Sequence, residues 1–89
     1  MKAVITVVGK DRSGIIAEVS MLLYRGGVNI EDISQTIMQD LFTMIMMADI
    51  SEATMPFEEL KDALDKLGER LGVEIRIQLE DIFNSMHRI

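Results

Sequence analysis

Apolar residues recur along this chain with periods that switch between two and about 3.6, and the switches mark out its elements. Val4 to Val8 is largely apolar on both faces and predicts a central strand. From Gly14 the stripe Ile15, Val19 and Leu22, flanked by Ile16 and Leu23, has helical spacing, and Gly26-Gly27 closes it as a C-cap pair. Val28 to Gln39 returns as a strand whose alternation breaks, because Ile30 and Ile33 lie out of phase while Ile33 and Ile37 agree. That break predicts a bulge near Glu31-Asp32. Gln39-Asp40 is the tight connection of a hairpin. Phe42 to Ile50 follows as a second strand apolar on both faces, with Met44, Met46 and Met47 as unbranched bulk.

Thr54-Met55-Pro56 opens a second helix, with Thr54 as its expected cap and Pro56 in its first turn. Leu60, Leu64, Leu67 and Leu71 form one stripe. Glu58 and Glu59 stand near the positive end of the helix dipole, Lys66 and Arg70 near the negative end, and Gly72 stops it. Val73, Ile75, Ile77 and Leu79 then alternate with Glu74, Arg76, Gln78 and Glu80, an edge-strand pattern with one wet face. Residues 81–89 read as a short terminal helix with Ile82, Phe83 and Met86 on one side.

The order strand, helix, strand, strand, helix, strand predicts an α+β, ferredoxin-like βαββαβ domain over residues 1–79, with a helical extension over 80–89. The doubly apolar first and third strands sit at the centre of a four-stranded antiparallel sheet, and both helices cover one face. If Ile5 points to the helices, Val4 and Val8 point away from them, so the second face or a sheet edge needs a cover. A homodimer supplies one. A monomer whose terminal helix folds back over the sheet is the alternative.

Composition narrows the function. Eighty-nine residues form one domain with a thin core. Aliphatic content is high, with 48% hydrophobic residues but only 4% aromatic, which fits a face covered by a partner better than a bare one. A net charge of −6 without a basic stripe argues against nucleic acid. The chain has no cysteine, hence no disulfide or thiolate metal site, and a reducing cytoplasm is permitted. Leu41 to Ala48 is too short to span a membrane, and the N-terminus is too brief for a secretory signal. The expectation is a cytoplasmic protein with no membrane partner.

The best-organised polar groups lie in Gly9-Lys10-Asp11-Arg12-Ser13-Gly14, between the end of a strand and the start of a helix. There the Gly14 and Ile15 amides suit a carboxylate and Asp11 suits an ammonium group, which together describe a zwitterion. The plain alternative is a solvated connection in which Ser13 caps the helix. No Lys-Ser/Thr pair follows the second glycine, so a nucleotide P-loop is not supported. Asn29 could reach a ligand or satisfy turn backbone. The methionines read as gap-fillers, and His87 with Asp81 lacks metal-ligand spacing. No Ser/His/Asp constellation or paired carboxylates occur, so no catalytic residue, metal or cofactor is expected.

The loop Gly9 to Ile15, the turn Gly26-Gly27-Val28-Asn29-Ile30 and the element order together resemble the ACT domain family, in particular its free-standing members and the domains of glycine-cleavage transcriptional repressors. The resemblance covers residues 2 to about 79. It implies a non-enzymatic module that binds a small ligand, usually an amino acid, between two domains and passes its state to an enzyme or regulator. By position it implies Asp11, Arg12, Ser13, Gly14 and Ile15 from one copy, with Asn29 and Ile30 from its neighbour. Relatives that bind serine commonly carry Asn where this chain has Asp11, and Pro is frequent where it has Ser13. Two other readings stand beside it: a ligand-free dimerisation domain, and an acylphosphatase-type enzyme using Arg12 and Asn29.

Overall fold

The computed structural model describes residues 1–86, with side chains through Asn84. The elements run β1 (Lys2–Lys10), α1 (Ile15–Arg25), β2 (Asn29–Met38), β3 (Leu41–Asp49), α2 (Phe57–Leu71), β4 (Val73–Leu79) and α3 (Glu80–Met86). The sheet order is β2-β3-β1-β4 and every pairing is antiparallel, as the element order predicts. The terminal helix is present from Glu80, and residues 87–89, with His87, lie outside the described residues, as does the side chain of Met86. Among the described residues no helix is long and apolar enough to cross a membrane.

Alternation assigns the faces. Ala3, Ile5 and Val7 of β1 sit opposite Ala48, Met46 and Met44 of β3 and, on the other side, Leu79, Ile77 and Ile75 of β4. These residues line the helix side of the sheet and, Leu79 apart, are buried there with Ile15, Val19 and Leu23 of α1 and Leu60, Leu64, Leu67 and Leu71 of α2. Met44 and Met46 of β3 fill the centre of this core, while Met47 lies on the far face opposite Val4. Gly9 sits where β1 meets Val73, and a Cβ built on it would lie 2.7 Å from Val73 Cγ1.

The predicted bulge falls between Ile30 and Asp32, as the phase break requires. One expectation is corrected: Thr54 does not cap α2, whose N-cap position is held by Pro56. Nor does Ser13 cap α1, as the plain alternative for its loop had it, because Gly14 holds that position, and no side chain bonds at either helix start. The Thr54 amide instead donates to the Gly26 carbonyl at 2.8 Å, holding the loop before α2 against the end of α1.

The second face is covered in part. α3 packs against β1 and β4, and Val4, which points away from α1 and α2, is only 2% exposed. Val8, Leu41 and Ile45, towards the opposite end of that face, remain exposed. β2 departs most from a half-buried alternation. Apart from Ile30 it is exposed along its length, and Ile33 and Ile37 lie open on the helix side because neither helix reaches over this edge.

Candidate functional site

The loop of residues 11–14 is fixed at both ends. Its first amide, that of Asp11, donates to the Asp40 carbonyl in the β2–β3 turn at 2.7 Å. At its far end Ile15 is buried in the core and anchors the start of α1 there. Gly14 joins the two with a φ of 92°, a left-handed conformation that costs other residues roughly 1–2 kcal/mol. The Glu18 amide bonds the Gly14 carbonyl at 2.9 Å and begins the helical ladder. The amides before it point out of the helix start without a side-chain acceptor.

Around this helix start, Asp11, Ser13 and Gly14 are exposed. Asp11 and Ser13 make no side-chain hydrogen bond or ion pair among the described residues. Arg12 is exposed as well, and its Nη1 donates to the Leu71 carbonyl at 3.3 Å, at the C-terminal end of α2. Among the described residues it makes no ion pair with Asp11. The loop therefore carries an exposed carboxylate at Asp11 and, three residues on, the uncapped amides of a helix start, groups whose chemistry suits an ammonium and a carboxylate respectively.

Asn29 and Ile30 are not near this loop. Asn29 stands opposite Asp49, and Asp49 stands opposite Lys2 at the start of β1, whereas the loop follows Lys10 at its end. The separation along β1 is about 26 Å at 3.3 Å per residue. Within one chain the two predicted halves of the site cannot share a ligand. Alternation also separates the pair itself: Ile30 packs against the core, while Asn29 lies on the far face beside Asp49 and is exposed.

The Asn29 end carries a charged network instead. Lys2 Nζ donates to both carboxylate oxygens of Glu31 and lies 3.9 Å from Asp49, and the N-terminal ammonium lies 3.6 Å from Asp49. The Ser51 hydroxyl and amide both donate to Asp49 Oδ1, and these bonds hold the Asp49 pKa down to about 2. The hydrogen bond to Glu31 raises the pKa of Lys2. Among the described residues no group of His, Cys, Asp and Glu could hold a metal ion.

Hydrophobic periodicity does not signal one further feature, a cleft of about 620 Å³ between α1 and α2 with Met21 and Met55 in its lining. Its only trace in the sequence is the confinement of Arg25, Lys66 and Arg70 to helix positions that face each other once the two helices pack.

Comparison with known proteins gives a consistent picture. A family model described as "ACT domain" matches residues 2–78. The UPF0237 protein of Clostridium acetobutylicum is 57% identical over 89 residues, covering all of both chains. Among solved structures, an ACT domain protein from Streptococcus pneumoniae superposes with a TM-score of 0.81 at 46% identity, covering 93% of each chain. A candidate glycine cleavage system transcriptional repressor superposes at 0.73 with 29% identity, covering 86% of this chain and 44% of that one.

Proposed function

The chain belongs to the ACT domain family, and on that premise we propose that it is a non-enzymatic regulatory module whose homodimer binds a free amino acid between its two copies. The observation that carries this reading is the uncapped start of α1 beside an unpaired Asp11, at one end of an uncovered edge strand.

Two-fold geometry completes the site. If β2 pairs antiparallel with β2 of a second copy, the Asn29 end of each strand lies beside the Met38 end of the other. Met38 stands opposite Leu41, and Leu41 opposite Lys10, so this is the end from which the Asp11 loop departs. Asn29 and the backbone of Ile30 of one copy then join Asp11, Ser13, Gly14 and the Ile15 amide of the other. Arg12 belongs to the scaffold behind the loop, through its bond to α2.

Exposed surface supports a second copy. The chain exposes 5882 Å², whereas a compact monomer of 10.0 kDa exposes roughly 5,200 Å². The excess approaches the ~800 Å² that each partner buries in a standard interface. An open edge strand ten residues long with Ile33 and Ile37 uncovered is also a surface that proteins ordinarily pair or shield.

A ligand of so few heavy atoms binds at micromolar to millimolar strength, at no more than about 1.5 kcal/mol per atom. That range suits a sensor of a metabolite pool. Titration of the twenty amino acids into isotope-labelled protein is the direct test. The expected result is saturable shifts at residues 11–17 and 29–30 for one amino acid or a small group of them. A dimer that responds to none at millimolar concentration would instead be a ligand-free dimerisation domain.

A further inference from the structure

We propose that the groove between α1 and α2 docks an acidic amphipathic helix of a partner protein. This site lies apart from the amino-acid site, and the argument for it does not depend on that reading.

The groove is built by two antiparallel helices. Gly26 at the end of α1 lies against Leu60 of α2, while Glu18 near the start of α1 pairs with Arg70 near the end of α2 at 2.7 Å. Between these points Met21, Leu22, Met55 and Leu67 line an apolar floor, and Met21 is 47% exposed. From Glu18 to Arg25 the groove runs about 10 Å at 1.5 Å per residue, the length of two helical turns. Unbranched methionine at such a surface accommodates side chains of varied shape.

Charge selects the occupant. Arg25, Lys66 and Arg70 line the groove, three of the nine Lys and Arg in a chain of net charge −6. Against them stands Glu18, the only one of fifteen Asp and Glu to line it among the described residues. Arg25 and Lys66 have no carboxylate within ion-pairing distance among the described residues. The acids Asp65 and Glu69 of α2 line clefts on its other flank, against β4. On that flank Lys61 stands among them, so the distinction of the α1 side is that Lys66 and Arg70 line it with Glu18 as the one carboxylate among the described residues.

The three cations are spread along the groove, and the groove is open along its side. A small organic acid would engage one of them and leave the others unused. A helix with apolar residues at i, i+3 or i+4 and i+7, flanked by Glu or Asp, fills the floor and meets Arg25 and Lys66, with Arg70 held beside them by its pair with Glu18. A like-charged surface elsewhere on this acidic chain repels the same partner, so the groove also sets where it lands.

The test uses the full chain, isotope-labelled, and three probes: a short synthetic helical peptide with a leucine stripe flanked by Glu, the same peptide with Lys for Glu, and decanoate. The acidic peptide is expected to shift resonances of residues 18–26 and 63–70, and Arg25→Glu with Lys66→Glu is expected to weaken it by about tenfold or more. Met21→Gln should weaken it through the floor alone. These side chains are exposed, and unchanged thermal melting would confirm that each variant folds. Equal binding of the Lys peptide, shifts confined to other surfaces, or no shift at millimolar acidic peptide would overturn the proposal. Decanoate filling the groove where the peptide does not would assign it to a small acid instead, which also overturns it.

Discussion

The backbone amide of Asp11 donates to the carbonyl of Asp40 over 2.7 Å, tying the loop that opens α1 to the turn that ends the exposed edge strand. A contact made along β2 and a ligand held at the loop therefore act on one connected piece of backbone. Coupling between two such sites ordinarily amounts to about 1–3 kcal/mol. On the proposed reading that is enough for an amino acid to strengthen a dimer, and for dimerisation to strengthen amino-acid binding by the same factor.

The edge strand gives the first prediction. Ile37 is 50% exposed in the single chain, so Ile37→Lys should alter the stability of the isolated fold by no more than about 0.5 kcal/mol. In a dimer joined through β2 it places a charge at the seam. Sedimentation equilibrium should show a dimer for the parent and a monomer for the variant, with unchanged far-ultraviolet circular dichroism. A variant that stays dimeric would exclude β2 as the interface.

At the loop, Gly14→Ala forces a side chain into a φ of 92° and should cost about 1–2 kcal/mol in urea unfolding. A Cβ there would find only Glu18 Oε2, at 3.9 Å, so the loss is conformational and packing is not involved. Because that Cβ occupies the space in front of the helix start, the substitution should also weaken the amino-acid response about tenfold or more.

Gly9→Ala acts by a different route. Its Cβ would meet Val73 at 2.7 Å from Cγ1 and 2.9 Å from Cα, and the backbone cannot give way without separating β1 from β4. Overpacking of this kind costs about 1–3 kcal/mol. Denaturant titration should show a lower midpoint with an unchanged slope.

The Asp49 cluster predicts an acid limit. Its folded pKa of about 2 lies below the ordinary 3.8, because Ser51 donates twice to the ionised form. The folded state thus holds fewer protons than the unfolded one between these values. The stabilisation is complete above pH 4 and is lost as pH falls towards 2. Ser51→Ala should return the Asp49 titration, followed by carboxyl chemical shift, towards 3.8 and remove that part of the acid dependence. Lys2 has the opposite sign: its raised pKa stabilises the fold at neutral pH, and that contribution fades above pH 10.5.

How much was legible varies by residue. Val4 to Val8, the Leu60–Leu71 stripe and the bulge at Glu31 follow from local periodicity, and the structure places each where the pattern does. Thr54 misled because a capping residue signals a helix only when the chain turns directly after it. Here its amide is taken by Gly26, and the helix waits for Pro56. The Arg12 guanidinium reaches the Leu71 carbonyl, 59 residues away, a contact no local pattern reveals.

The order of residues alone determined which segments become strands and helices and where they stop, because those choices rest on side-chain spacing and backbone freedom within a few positions. Only the folded chain decided that Asn29 and Asp11 lie at opposite ends of the sheet, that β2 is left uncovered, and that three cations converge on one groove. Those facts depend on strand order and helix pairing, which bring together residues too far apart in sequence for any periodicity to connect.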